Sequence, residues 1–181
     1  MIEKLLLMND KDLHALILGY KVALALLILA PIVALVVYVF HQKSKRTRMR
    51  EAILREHRQI IGNQTWFPVR YASEVRFYSS LKIFPWEGAG ILVMFPGSVR
   101  FFGQTLSGEP LALQFAPDNS IVKWVGRASL ANGSTSWFYF ATVFEKHFFS
   151  SETGVAVFGS HKSTRAIYDT ANGIFQAQSP S

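Results

Sequence analysis

Chemistry needs side chains that move protons, hold metals or attack carbon, and this sequence carries few of them at usable spacing. Its five histidines are His14, His41, His57, His147 and His161. His147 has an acidic neighbour at strand spacing within a run of β-forming residues. In Phe144-Glu-Lys-His-Phe-Phe149 the Glu145 and His147 side chains fall on one face of an extended chain. A metal ion takes roughly three or four such ligands and no third is evident, so the pair reads as structural and no cofactor is expected. A serine nucleophile sits in a G-x-S-x-G turn between strand and helix. Gly159-Ser-His-Lys-Ser163 has the serine and the position but lacks that spacing and an Asp–His order. No G-x-G-x-x-G occurs, and Gly97 to Gly103 has no phosphate-loop lysine. Cysteine is absent, which removes disulfides, thiolate metal sites and thiol nucleophiles. The residues point to binding, not to an enzyme.

Two kinds of side chain could do that binding. The first is basic. The 181 residues carry 19 Lys and Arg against 12 Asp and Glu. Most of the excess lies in residues 41–58, where Lys43, Lys45, Arg46, Arg48, Arg50, Arg55 and Arg58 face only Glu51 and Glu56. Such a run sets membrane topology, and at a cytoplasmic face it attracts anionic lipids at ~1 kcal/mol per basic residue. Lys43, Lys45, Arg46, Arg48 and Arg50 are the candidate headgroup contacts. A basic helix can also touch nucleic-acid phosphates, but its place beside a bilayer argues against that partner. The second kind is aromatic, with 15 Phe, 6 Tyr and 4 Trp. Most fill a core. Tyr139, Phe144, Phe148 and Phe149 cannot all point inward by simple alternation, so with Trp86 they form a candidate partner face. Trp66-Phe67-Pro68 and Phe84-Pro-Trp86 read as loops or strand starts able to dip into a membrane.

The elements that position these residues are legible from composition. Val22 to Phe40 is free of charge for nineteen residues, and ~20 apolar residues span a ~30 Å hydrocarbon core. The segment is apolar on all faces, too long for the ~7–15-residue core of a signal peptide, and holds Pro31, which removes one backbone hydrogen bond and kinks a helix. Residues 13–40 are expected to be an uncleaved membrane helix. Residues 1–12 then lie outside and the arginine-rich side inside, at a bacterial inner membrane. Gly19 with Ala23 and Ala30 with Ala34 are small residues four apart, open to helix self-association. Residues 41–63 are expected to form a basic juxtamembrane helix with a thin stripe of Ala52, Ile53, Ile60 and Ile61, stopped at Gly62.

From residue 64 the pattern turns to short β runs: Glu74–Tyr78, Ile91–Phe95, Ser98–Phe102, Leu111–Phe115, Ile121–Val125, Trp137–Val143 and Val155–Phe158. Pro96-Gly97, Ser107-Gly108, Pro117-Asp-Asn119, Asn132-Gly133 and Thr153-Gly154 mark turns between them. Ala166, Ile167, Ala171, Ile174 and Phe175 then recur at helical spacing, with Ser160 or Ser163 as cap. Residues 178–181 are a tail.

Gly90-Ile-Leu-Val-Met-Phe-Pro-Gly-Ser-Val-Arg-Phe-Phe-Gly103 resembles the first hairpin of bacterial pleckstrin-homology-like (GRAM-like) domains. Leu111–Phe115, Ser120–Val125 and Trp137–Thr142 look like further strands of such a domain. Thr153–Gly159 with Ser163–Asp169 looks like its closing strand and helix. The likeness covers residues 66–177. It implies a membrane-anchored α+β chain, with a mainly antiparallel small β-barrel closed by a C-terminal helix. Phosphoinositide-binding members carry several basic residues around the first hairpin loop, whereas Phe95-Pro-Gly-Ser98 here has only Arg100 nearby. The expected role is an accessory or scaffold subunit of a membrane complex, its barrel cytoplasmic. The alternative is a lipid-sensing or lipid-handling module that binds anionic headgroups of the phospholipid bilayer.

Overall fold

The computed structural model describes residues 10–79, 86–127, 135–152 and 160–178. The chain divides into two compact units, residues 1–44 and 45–181. Helix α1 (Asp10–Glu56) runs unbroken through Pro31. Its apolar part, Leu16–Tyr38, has a mean hydropathy of 2.5 over 23 residues and none of it is buried. At ~1.5 Å per residue that is about 34 Å of helix, long and apolar enough to cross a membrane. Leu18, Tyr20, Leu26, Leu27, Val33 and Phe40 are exposed around it, so it offers no polar side to water.

The second unit is built on one antiparallel sheet. Its strands are β1 (Thr65–Ser73), β2 (Gly88–Phe95), β3 (Ser98–Thr105), β4 (Pro110–Phe115), β5 (Ile121–Arg127), β6 (Ser136–Ala141) and β7 (Lys146–Ser151), in the order β4-β3-β2-β1-β7-β6-β5. Val69 on β1 pairs with Gly90 on one side and Ser151 on the other. The helices of this unit are the end of α1, α2 (Arg58–Ile61), α3 (Glu74–Tyr78) and α4 (His161–Gln176). Gly62 ends α2 at φ 53°, a left-handed value that favours glycine.

Strand alternation sends apolar residues to both faces of the sheet. One face carries Val69, Tyr71, Leu92, Met94, Val99, Phe101, Phe115, Phe138, Phe140 and Phe149 under Ile167, Ala171 and Phe175 of α4. The other face holds two clusters. Ile91, Val93 and Phe102 meet Ile53 and Ile61 of the connector. Ala72, Trp137 and Phe148 meet Phe77 of α3 and Trp86. The expected stripe on the connector is therefore half used: Ile53 and Ile61 are buried, Ala52 and Ile60 exposed.

Three expectations are corrected. The sheet is not closed: β4 and β5 are its edges, and α4 packs against β5, β6, β7 and β3. Glu74–Tyr78 is a helix, not a strand, because Ser73 at its N-cap accepts from the Arg76 N–H at 3.3 Å. Strand β6 stops at Ala141, short of Val143, while Trp66–Pro68 lies at the start of the central strand β1, one of the two readings given above. The Val155–Phe158 run and the Asn132-Gly133 and Thr153-Gly154 turns lie outside the described residues.

Where β2 meets β3, Gly90 pairs with Gly103 and the Phe101 ring lies over both. A Cβ on Gly90 would stand 2.5 Å from Gly103 Cα and 2.9 Å from Phe101 Cε2. Gly90→Ala is expected to lower the unfolding free energy by about 1–3 kcal/mol, the usual cost of overpacking. Denaturant titration of the full chain in detergent, followed by near-ultraviolet circular dichroism, measures it.

Candidate functional site

The basic connector is fastened to the sheet through its own arginines. Arg46 Nε lies 2.8 Å from Glu152 Oε1, and Arg50 Nη1 pairs with Glu152 Oε2. Arg50 Nη2 also donates to Thr47 Oγ1 at 3.1 Å. Glu152 directly follows β7, its N–H bonded to the Pro68 carbonyl at 3.0 Å, and its side chain is only 5% exposed. Beside it Arg70, on β1, is 2% exposed with its guanidinium 4.5 Å above the Trp86 ring; Arg46 approaches the same ring at 5.8 Å. Burial lowers the Arg70 pKa to about 10, the Arg46 charge adds to that, and Glu152 opposes it. Of the expected headgroup contacts, Arg46 and Arg50 are thus engaged within the protein. Lys45 and Arg48 are exposed, and the Lys43 side chain lies outside the described residues.

The expected aromatic face is mostly interior. Trp86, Phe148 and Phe149 are buried, and Tyr139 is half-buried. Neighbours Phe148 and Phe149 both bury because β7 lies between β1 and β6 and both sheet faces are covered there. Phe149 joins the core under α4, while Phe148 stacks on Phe77 at 3.8 Å between ring centroids. Phe144 is the exception at 94% exposed, next to Val143 at 86%. They stand on a turn that is pinned from within. Thr142 Oγ1 accepts from the N–H groups of Phe144 (3.3 Å) and Glu145 (3.2 Å), and the Thr142 N–H donates to the Glu145 carbonyl at 2.9 Å. Val75 and Tyr78 on α3 are also exposed, and α3 is tied to the start of β7 by the Glu74–Lys146 ion pair. That pairing holds the Glu74 carboxyl below its ordinary range and Lys146 above.

Glu145 and His147 do come together, His147 Nε2 lying 3.2 Å from Glu145 Oε1. Unforeseen from sequence, Tyr71 Oη lies 3.1 Å from His147 Nδ1. Burial raises the Tyr71 pKa, helped by Glu87 and Glu145, so the phenol keeps its proton and donates it to Nδ1. Burial lowers the His147 pKa against the pull of Glu145, leaving a neutral ring that donates from Nε2 to the carboxylate. Carboxylate, imidazole and phenol in series could relay a proton. Here the rings of Phe101, Phe115 and Phe149 surround the phenol and imidazole, and both are buried. Among the described residues no group of three or more His, Cys, Asp or Glu could hold a metal. Ser160, the serine of the strand-to-helix turn, is buried and accepts from the Ser136 N–H at 3.4 Å; Gly159 lies outside the described residues.

A shallow cleft of about 340 Å³ opens where the end of α1, α2 and the start of β1 meet, lined by Leu54, Arg55, Arg58, Ile61, Gly62 and Trp66. No family model matches the chain, and neither a curated protein nor a solved structure does.

Two measurements test this account. Glu152→Gln leaves Arg46 and Arg50 without their counter-charge, and the loss is expected near the lower end of the about 3–5 kcal/mol seen when a buried pair is broken. Chemical denaturation of the full chain reads it. For His147, the unfolded chain takes up a proton around pH 6.5 that the folded chain refuses until lower pH. Stability is therefore unaffected above about pH 6.5 and falls as pH drops below it. His147→Gln is expected to flatten that slope when denaturation midpoints at about pH 7.5 and about pH 5.5 are compared.

Proposed function

We propose that this chain is a non-enzymatic, single-pass membrane protein whose sheet domain binds a partner protein, as an accessory or scaffold subunit of a membrane complex. The Leu16–Tyr38 helix supports the anchor by length and hydropathy. The seven basic residues after it favour a cytoplasmic domain. A tether of this kind raises the effective concentration of the domain for neighbours in the same membrane.

One observation carries the reading: Val143 and Phe144 are held out into solvent on a turn whose backbone is already fixed. A large aromatic presented this way loses little conformational freedom on binding, and such side chains dominate the energetics of protein interfaces. Lipid-headgroup binding by the first half of the connector is the weaker reading, since Arg46 and Arg50 are turned to Glu152.

Phe144→Asp is expected to leave the unfolding free energy within about 0.5 kcal/mol of the parent, as exposed substitutions do. Recovery of co-purifying proteins from native membranes is expected to fall at least about tenfold, the equivalent of ~1.4 kcal/mol. Unchanged recovery of the same proteins with both Phe144→Asp and Val143→Asp sinks the reading.

A further inference from the structure

The connector's remaining arginines are deployed differently from Arg46 and Arg50. Arg55 and Arg58 are exposed and, among the described residues, neither enters an ion pair. Both line the cleft of about 340 Å³ described above. Arg55 Nε donates to the Glu51 carbonyl at 3.3 Å, which steadies the stem and leaves its two Nη nitrogens for a ligand. The other walls are unlike a solvated charged surface. Leu54 and Ile61 give an apolar floor, and Trp66 stands 39% exposed at the rim. Among the described residues no acidic side chain lines the cleft, although Glu51 and Glu56 are close in sequence.

We propose that this cleft binds a phosphate group carried on a small, partly apolar molecule, with Arg55 and Arg58 on the phosphate oxygens and Trp66 with Leu54 and Ile61 on the apolar portion. The reasoning is chemical. Arg55 and Arg58 both line the cleft, so an anion seated there is attracted by two positive charges. The planar fork of Arg matches phosphate oxygens in pairs, and an indole beside it accepts an aliphatic or ring carbon surface while keeping its N–H in water. The volume lies at the low end of the ~300–1,000 Å³ usual for ligand pockets, which suits a glycerophosphate-sized group. An anionic phospholipid headgroup and a free phosphate ester share this chemistry. The site is separate from the Val143–Phe144 turn and does not depend on what that turn binds.

The test uses the full chain in maltoside micelles, with tryptophan fluorescence as readout and three titrants: inorganic phosphate, dihexanoyl phosphatidylglycerol and dihexanoyl phosphatidylcholine. A saturable change is expected, at least about tenfold weaker in the Arg55→Gln/Arg58→Gln double variant, which is ~1.4 kcal/mol or more. The signal should vanish in Trp66→Phe and persist in Arg127→Gln, whose arginine is exposed but outside the cleft. Saturation by phosphatidylglycerol at concentrations where inorganic phosphate gives none assigns a lipid headgroup. Saturation by inorganic phosphate assigns a soluble phosphate compound. The proposal is overturned if no titrant saturates, or if the double variant, folded by near-ultraviolet circular dichroism, binds the saturating titrant as tightly as the parent.

Discussion

A sheet that is apolar on both sides cannot stand in water with either side bare, and this chain supplies the two covers from opposite ends of the folded unit. Helix α4 lays Ile167, Ala171 and Phe175 over one side. Residues 45–61, which arrive first in the chain, lay Ile53 and Ile61 over the other, beside Phe77 and Trp86. Burying a side chain of this size contributes about 1.5–3 kcal/mol, so Ile53 and Ile61 are integral to the domain. The basic connector is therefore a structural member of the sheet domain as well as a charged flank. A cut after Glu56 would expose Ile91, Val93 and Phe102.

Electrostatics sets where that cover docks. Apolar contact alone tolerates sliding along a helix, whereas the Glu152 carboxylate accepts only a helix that places Arg46 and Arg50 one turn apart over it. Arginine suits the role better than lysine, because its guanidinium stays charged when partly desolvated and its flat face rests on an indole. Arg70 shows the limit of that tolerance. Buried against Trp86 with a second arginine close by, it binds its proton less tightly than an ordinary guanidinium. The Glu152 charge is what offsets the crowding of cations there.

The local features were legible in the sequence because their signals are local. The apolar run of α1, the stop at Gly62, the turns at Pro96-Gly97 and Ser107-Gly108, and the 3.6-residue period of α4 are each written within a few neighbours. Strands β2 to β6 were found as short β-branched and aromatic runs. Strand β7 was glimpsed only in the extended Glu145–His147 pair and left out of the strand runs because, buried on both faces, Lys146–Ser151 shows no alternation. Helix α3 was misread because five residues, Glu-Val-Arg-Phe-Tyr, fit a strand period as well as a helical one, and the Ser73 cap decided it. The site residues failed for a different reason. Arg50 and Glu152 are 102 residues apart, and nothing in a basic run says which of its members are consumed by a distant carboxylate. The same blindness hid the Tyr71–His147 bond across 76 residues. It also hid Trp66, which joins Arg55 and Arg58 only after the chain turns at Gly62.

The two exposed features belong to opposite ends of strand β1. Trp66, at the rim of the cleft, lies near its start, and Ser73, whose partner across the ladder is His147 just beyond the Phe144 turn, is its last residue. Seven residues of strand at ~3.3 Å each put about 23 Å between them. A surface that touched both ends would have to run along the sheet, and the sheet's two faces are already occupied by α4 and by residues 45–61. The aromatic turn and the basic cleft differ in chemistry as well as in place, one apolar and projecting, the other cationic and recessed. The strand that separates them, β1, is the central strand of the sheet, so each lies at a different end of the same structural axis.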